Sequence, residues 1–142
     1  MSEVVACPRC GAKNRIATPP AGTVPRCGRC KAPLPLVLSG SEASLARDLQ
    51  APTPVVVDFW APWCQPCLLV APVLDQLARE FAGRLKVVKV NIDENPQLAA
   101  RYRVQSIPAL LVFRDGQLLD TVVGALPKPA LLERLAPHLT RD

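Results

Sequence analysis

All six cysteines of the chain occur in Cys-x-x-Cys pairs: Cys7/Cys10, Cys27/Cys30 and Cys64/Cys67. Two sulfurs this close can share a metal ion or cycle between dithiol and disulfide. Either role ties down the surrounding backbone, so the pairs constrain the fold at three points. Their flanking residues separate them. The first two pairs lie in residues 1–38, with Pro8, Pro19, Pro20, Pro25, Pro33, Pro35, Gly11, Gly22 and Gly28 and few apolar groups beyond Val4, Val5, Ile16 and Val24. Such a segment excludes long regular helices. It is too small to build a sufficient core unaided and needs a metal or disulfides.

A choice between those two follows from compartment. The N-terminus has no apolar stretch of the signal-peptide kind, and no run of about 18 apolar residues occurs. The expectation is a cytoplasmic protein, where paired cysteines read as metal-binding or catalytic rather than as structural disulfides. Cys7-x₂-Cys10, a gap of 16 residues, then Cys27-x₂-Cys30 fits the four-cysteine zinc spacing. Cys7-Pro8-Arg9-Cys10-Gly11 and Cys27-Gly28-Arg29-Cys30-Lys31 are near copies. Four thiolates complete a tetrahedral shell, so one structural Zn²⁺ is expected, with no open position for catalysis.

Charge sharpens this division. Residues 1–38 carry six basic side chains against Glu3 alone, a net of +5, while residues 39–142 carry eleven of each sign. Four thiolates and one Zn²⁺ would add −2, leaving about +3. A nucleic-acid partner is not expected, because the segment has no aromatic residue to stack on a base.

The whole chain is 49% hydrophobic, and from residue 39 it shows real periodicity. Ser41–Leu49 predicts a short helix with Ser41 as N-cap. Val55–Phe59 is a β-branched run typical of a buried strand. Cys64–Phe81 carries Val70, Val73, Leu74, Leu77 and Phe81 at helical spacing, with Pro72 expected to kink it. Leu85–Ile92 predicts a strand, Asn95–Tyr102 a helix begun by Pro96, and Ala109–Phe113 a strand. Asp115-Gly116 predicts a hairpin into a strand at Gln117–Val123. Residues 129–139 predict a closing helix. The order α-β-α-β-α-β-β-α implies an α/β fold, a mixed sheet with helices on both faces. The expected division is a zinc module and connector at 1–38 and a second domain at 39–142, with residues 31–40 as an extended connector.

The third pair follows a strand and opens a helix, in Trp60-Ala61-Pro62-Trp63-Cys64-Gln65-Pro66-Cys67. Cys64 at a helix N-terminus has its thiolate favoured by free N–H groups and the dipole. Cys67, one turn in, is expected to be more shielded. The first sulfur can attack a disulfide and the second can resolve the mixed disulfide. Pro66 fixes the turn, and Trp60 and Trp63 would form an apolar collar.

That octapeptide, the Val-Asn-Ile-Asp-Glu-Asn-Pro stretch at 90–96, Ile107-Pro108 and Val123-Gly124 together resemble the thioredoxin family over roughly residues 41–140. The preceding four-cysteine segment is similar to the thioredoxin-2 type of bacterial thioredoxins. The resemblance implies a thioredoxin fold with a small zinc-ribbon-like module, and a protein-disulfide reductase. Its electrons would come from NADPH through a thioredoxin reductase, its partners would be disulfide-containing clients, and it would have no organic cofactor of its own. By matching positions, Cys64 is the nucleophile and Cys67 the resolving cysteine. Asp58 matches a buried carboxylate that moves a proton to or from Cys67, and burial should raise its pKa. Lys89 matches the lysine beside that acid. Pro108 matches a proline preceded by a cis bond. Trp63, Gln65, Pro66, Ile107, Pro108 and Gly124 are the expected substrate contacts. Gln65 stands where the family usually has glycine, Leu68 where it has a basic residue, and Ala109 where it has threonine. These changes bear on redox poise and make the contact surface more apolar. The alternative is a zinc-containing, redox-regulated binding module or holdase without turnover. His138, the sole histidine, is expected to be a surface residue with no catalytic or ligand role.

Overall fold

The β-branched run at the centre of the sequence becomes the centre of a sheet. In a computed structural model, which describes residues 3–16 and 24–139, five strands lie in the order β3-β5-β4-β6-β7. These are β3 (Leu36–Ser39), β4 (Val55–Trp60), β5 (Lys86–Asn91), β6 (Ala109–Arg114) and β7 (Gln117–Val123). β3, β5 and β4 run parallel; β6 and β7 are antiparallel. Alternation along each strand makes two cores. Val56, Val87, Leu110 and Val112 pack under α2 (Gln65–Glu80) and α4 (Lys128–Leu139). Val55, Val57, Phe59, Val88 and Leu111 pack under α1 (Leu45–Asp48) and α3 (Pro96–Arg101). The expected mixed sheet with helices on both faces is what forms.

Three local expectations change. The connector includes an edge strand: Leu36–Ser39 pairs in register with Lys86–Lys89. A domain cut between residues 38 and 39 therefore falls inside β3. The helix expected over Ser41–Leu49 is regular only over Leu45–Asp48. Ser41 does not cap it; its own N–H donates to Ser44 Oγ at 2.9 Å, while Ser44 Oγ donates to Asp48 at 2.7 Å. The hydroxyl that could cap is engaged elsewhere. Finally, α2 begins at Gln65 with Cys64 as its N-cap, and runs through Pro72 to Glu80. The Asp115-Gly116 turn is as expected, with φ of 53° and 78°, the pair of positive values that a tight hairpin needs.

The first segment is built on a hairpin, β1 (Glu3–Ala6) with β2 (Lys13–Ile16), antiparallel. Its own buried apolar residues are Cys7, Cys27, Ala32 and Leu34. So little apolar area supports the expectation that this segment needs a staple.

Candidate redox pair and metal centre

Strand β4 delivers the chain to the sheet's C-terminal end, and the turn Ala61–Trp63 sets Cys64 at the start of α2. Cys64 and Cys67 are joined in a disulfide. Cys64 Sγ accepts the Cys67 backbone N–H at 3.2 Å, one of the helix N-terminal donors with no partner inside the helix. Both cysteines are buried, 5% and 2% exposed as whole residues, so the expected contrast in shielding is small in this oxidised state. Across from them lies the loop before β6. The Ile107–Pro108 peptide is cis, and the Ile107 carbonyl lies 3.8 Å from Cys64 Sγ. Gly124 stands beside this loop, its N–H donating to the Pro108 carbonyl at 2.8 Å. Its φ is +98°, and a Cβ there would meet nothing within 4 Å, so the space above it is open.

Gln65 and Pro66 are exposed on the rim. Trp63 is 66% exposed and its indole N–H donates to both carboxylate oxygens of Asp93, at 3.1 and 3.2 Å. It is thus an anchored surface ring beside the pair. Trp60 packs against the Ala61–Cys64–Cys67 cluster. Asp93 went unassigned in the sequence because a partner thirty residues away leaves no local signal. Leu68 and Leu69, 47% and 70% exposed, extend the apolar surface along α2.

Asp58 is 1% exposed, on the face of β4 that carries Val56 beneath α2. Its Oδ1 has no hydrogen-bond partner among the described residues. Burial pushes its carboxyl up to about 7, against the opposing pull of the Lys89 ammonium. Lys89 is its direct cross-strand neighbour in β5 and is half-buried. The sequence-predicted group Cys64, Cys67, Asp58, Lys89, Ile107, Pro108 and Gly124 therefore draws from β4, α2, β5 and the β6 and β7 ends of one sheet. His138 is set apart from it. It is half-buried rather than freely exposed, with Nε2 3.3 Å from Asp120.

The other four cysteines converge separately. Their Sγ atoms all lie within 4.8 Å of one another, with Cys7–Cys30 and Cys10–Cys27 at 3.6 Å. A tetrahedral shell with Zn–S of about 2.3 Å needs sulfur–sulfur separations of roughly 3.8 Å, so the donor set fits such an ion. The two knuckles repeat in detail. Cys7 N–H donates to Ala12 O and Gly11 N–H to Cys7 O; Cys27 N–H donates to Ala32 O and Lys31 N–H to Cys27 O. Arg9 and Arg29 each donate a backbone N–H to the preceding knuckle sulfur at 3.4 Å. The Cys27 thiol is pushed down to about 6, first by the Cys30 backbone N–H and then by the Asn14 amide. Asn14 links the knuckles, donating to Cys27 Sγ at 3.5 Å and accepting from Gly28 N–H at 2.9 Å. Sequence reading missed it, since a lone asparagine in a polar strand has no distinguishing mark.

A family model described as Thioredoxin matches residues 36–137. The chain belongs to the thioredoxin family. Its thioredoxin region is 56% identical over 91 residues to Thioredoxin 1 of Nostoc sp., an alignment covering 64% of this chain and 85% of that protein. A thioredoxin of Synechocystis sp. is 51% identical over 100 residues, covering 70% and 94%. A chloroplastic M-type thioredoxin of Pisum sativum is 49% identical over 87 residues, covering 61% and 51%. The chain is thus a thioredoxin-type protein-disulfide reductase, and the four-cysteine segment is an addition before the matched region. Among the described residues no helix is long and apolar enough to cross a membrane.

Proposed function

We propose that Cys64 and Cys67 carry the disulfide reduction and that residues 1–35 form a zinc-stapled module. The observation that carries the reading is the Cys64–Cys67 disulfide at the N-terminus of α2, faced by the Ile107 carbonyl. In the reduced protein the Cys64 thiolate attacks one sulfur of a client disulfide. A Cys64–client disulfide forms and the other client sulfur leaves as a thiolate. Cys67 gives up its proton and attacks Cys64 Sγ, closing the internal disulfide and releasing the second client sulfur. Two electrons have passed to the client.

Asp58 takes the Cys67 proton, through water. A carboxyl at about 7 is half-ionised near neutrality, the condition in which a group both accepts and returns protons well. Lys89 holds that value down and so keeps Asp58 usable as a base. Ile107, ahead of the cis Pro108, offers backbone to an extended client segment, with Trp63, Gln65 and Pro66 on one side and Gly124 leaving room on the other. NADPH, through a thioredoxin reductase, restores the dithiol. Cys7, Cys10, Cys27 and Cys30 would hold one Zn²⁺ as a closed structural site. The family match beginning at residue 36 favours a boundary just before β3. The cytoplasm is the setting that keeps these thiols reduced.

Insulin-disulfide reduction tests the cysteines. Cys64→Ser should abolish it and Cys67→Ser should trap a client-linked species on Cys64; full activity in Cys64→Ser refutes the assignment. Metal and thiol stoichiometry tests the module. The expected result is one zinc and two reversibly oxidised thiols per chain, and zinc-free protein with six reactive thiols would overturn it.

A further inference from the structure

The module's charge has no use in the chemistry above. Arg9, Lys13, Arg15, Arg26, Arg29 and Lys31 are all exposed. Among the described residues the carboxylate ion pairs are Lys128–Glu80, Arg134–Asp120 and His138–Asp120, none of which involves these six. Between Glu3 and Glu42 the sequence has no acid at all. The cations fall in or beside both knuckles and on the β2 strand, and all are exposed. Elsewhere in the chain the two signs balance. Even after zinc thiolates are counted, roughly three positive charges remain in excess.

Cations with no carboxylate partner among the described residues, on a small surface without aromatic side chains, attract anionic partners without stacking on bases. Tethered to a protein-disulfide reductase, such a surface raises the local concentration of whatever it holds near the redox pair. We infer that the module is an electrostatic docking surface for acidic segments of disulfide-bearing client proteins. This rests on the reductase reading and names a substrate class for it.

The test uses one fluorogenic disulfide peptide carrying a tail of six Glu, six Ser or six Lys. Turnover is driven by dithiothreitol at low and at high salt, on the full zinc-loaded protein. At low salt the Glu-tailed peptide should have a KM about tenfold below the Ser-tailed one with kcat unchanged. The Lys-tailed peptide should be worse than both. The preference should vanish at high salt, where the Debye length falls to about 3 Å at 1 M. A Lys13→Glu, Arg15→Glu, Arg26→Glu variant, checked for zinc content, should lose the preference while reducing the Ser-tailed peptide normally. Because charge reversal in a small module can unfold it, tail binding alone is also measured on the unaltered protein, by anisotropy of a cysteine-free Glu peptide. Equal KM for the three tails, or a preference that survives charge reversal, overturns the inference. So does a DNA oligonucleotide of equal length binding tighter than the Glu peptide, which would make the surface a nucleic-acid site. Failure to reduce the Ser-tailed peptide sinks the reductase reading instead, and leaves the anisotropy result to decide the docking surface by itself.

Discussion

Replacing Asp58 by Asn removes a charge that the fold tolerates poorly, and the effect can be sized. The carboxyl moves from 3.8 to about 7 on folding, with burial as the dominant cause. One pKa unit corresponds to about 1.4 kcal/mol, so ionised Asp58 costs about 4 kcal/mol of stability. The sign follows from proton counting. Below about pH 4 the group is protonated folded and unfolded, and contributes nothing to the pH dependence. Between about pH 4 and 7 the unfolded chain releases its proton while the folded one retains it, so stability falls as pH rises. Above about pH 7 the full cost is present. Asparagine carries no charge at any pH. Its amide enters a site where Oδ1 already lacks a partner, a penalty of about 1–3 kcal/mol that does not depend on pH.

The measured quantity is therefore the change with pH of the stability gap between variant and parent. Urea unfolding of the oxidised proteins at pH 4 and pH 8.5, followed by tryptophan fluorescence and circular dichroism, gives it. Trp60 and Trp63 both lie in the thioredoxin domain. Acid loss of metal from the four-cysteine module affects both proteins alike and cancels in the difference. The variant should gain about 4 kcal/mol on the parent between the two pH values. At an m-value of about 2 kcal/mol/M that is roughly a 2 M shift in relative midpoint. A gap that is the same at both pH values means Asp58 does not titrate in this range. A gap that moves in the parent's favour as pH rises means its charged form is paired and stabilising. Either result removes the basis for the proton-acceptor role proposed for it. The same substitution should slow resolution of the Cys64-linked intermediate by about 100-fold or more, the usual scale for loss of a general base.

Chelation with a zinc-specific reagent should make residues 3–35 susceptible to trypsin at Arg9, Lys13 and Arg26 while the β3-to-α4 region stays resistant, since Cys7, Cys27, Ala32 and Leu34 are the module's buried apolar set. Gly124→Ala should cost about 1 kcal/mol, read as a drop of about 3 °C in Tm; the cause is the φ of +98°, because the added methyl meets nothing. Lys31 has a φ of 66° at the knuckle position where its counterpart Gly11 has 78°. Lys31→Gly should therefore relieve strain and slow chelator-driven metal loss by about fivefold, the equivalent of about 1 kcal/mol.

The elements that the sequence revealed are those whose signal is local. Val55–Trp60 is β-branched and flanked by turns; α2 carries its buried residues at helical spacing; Asp115-Gly116 demands two positive φ values. The place of the Cys64–Cys67 pair was legible for the same reason, since a strand, a turn and Cys-x-x-Cys at a helix start are consecutive. What escaped depends on pairing across distance. Leu36–Ser39 reads as a proline-bounded linker until Lys86–Lys89, fifty residues on, supplies its partner strand. Trp63 shows itself as an apolar ring beside the pair, but its anchor is hidden until folding brings Asp93 to its N–H at the surface. Asn14 looks like any polar residue until folding sets it between the two knuckles. Asp58 shows both kinds of signal at once. That it is buried can be read from the apolar run around it. That it stands beside Lys89 is what the family resemblance implies, and the parallel register of β4 with β5 sets the two directly across from each other, the ammonium opposing the upward push of burial.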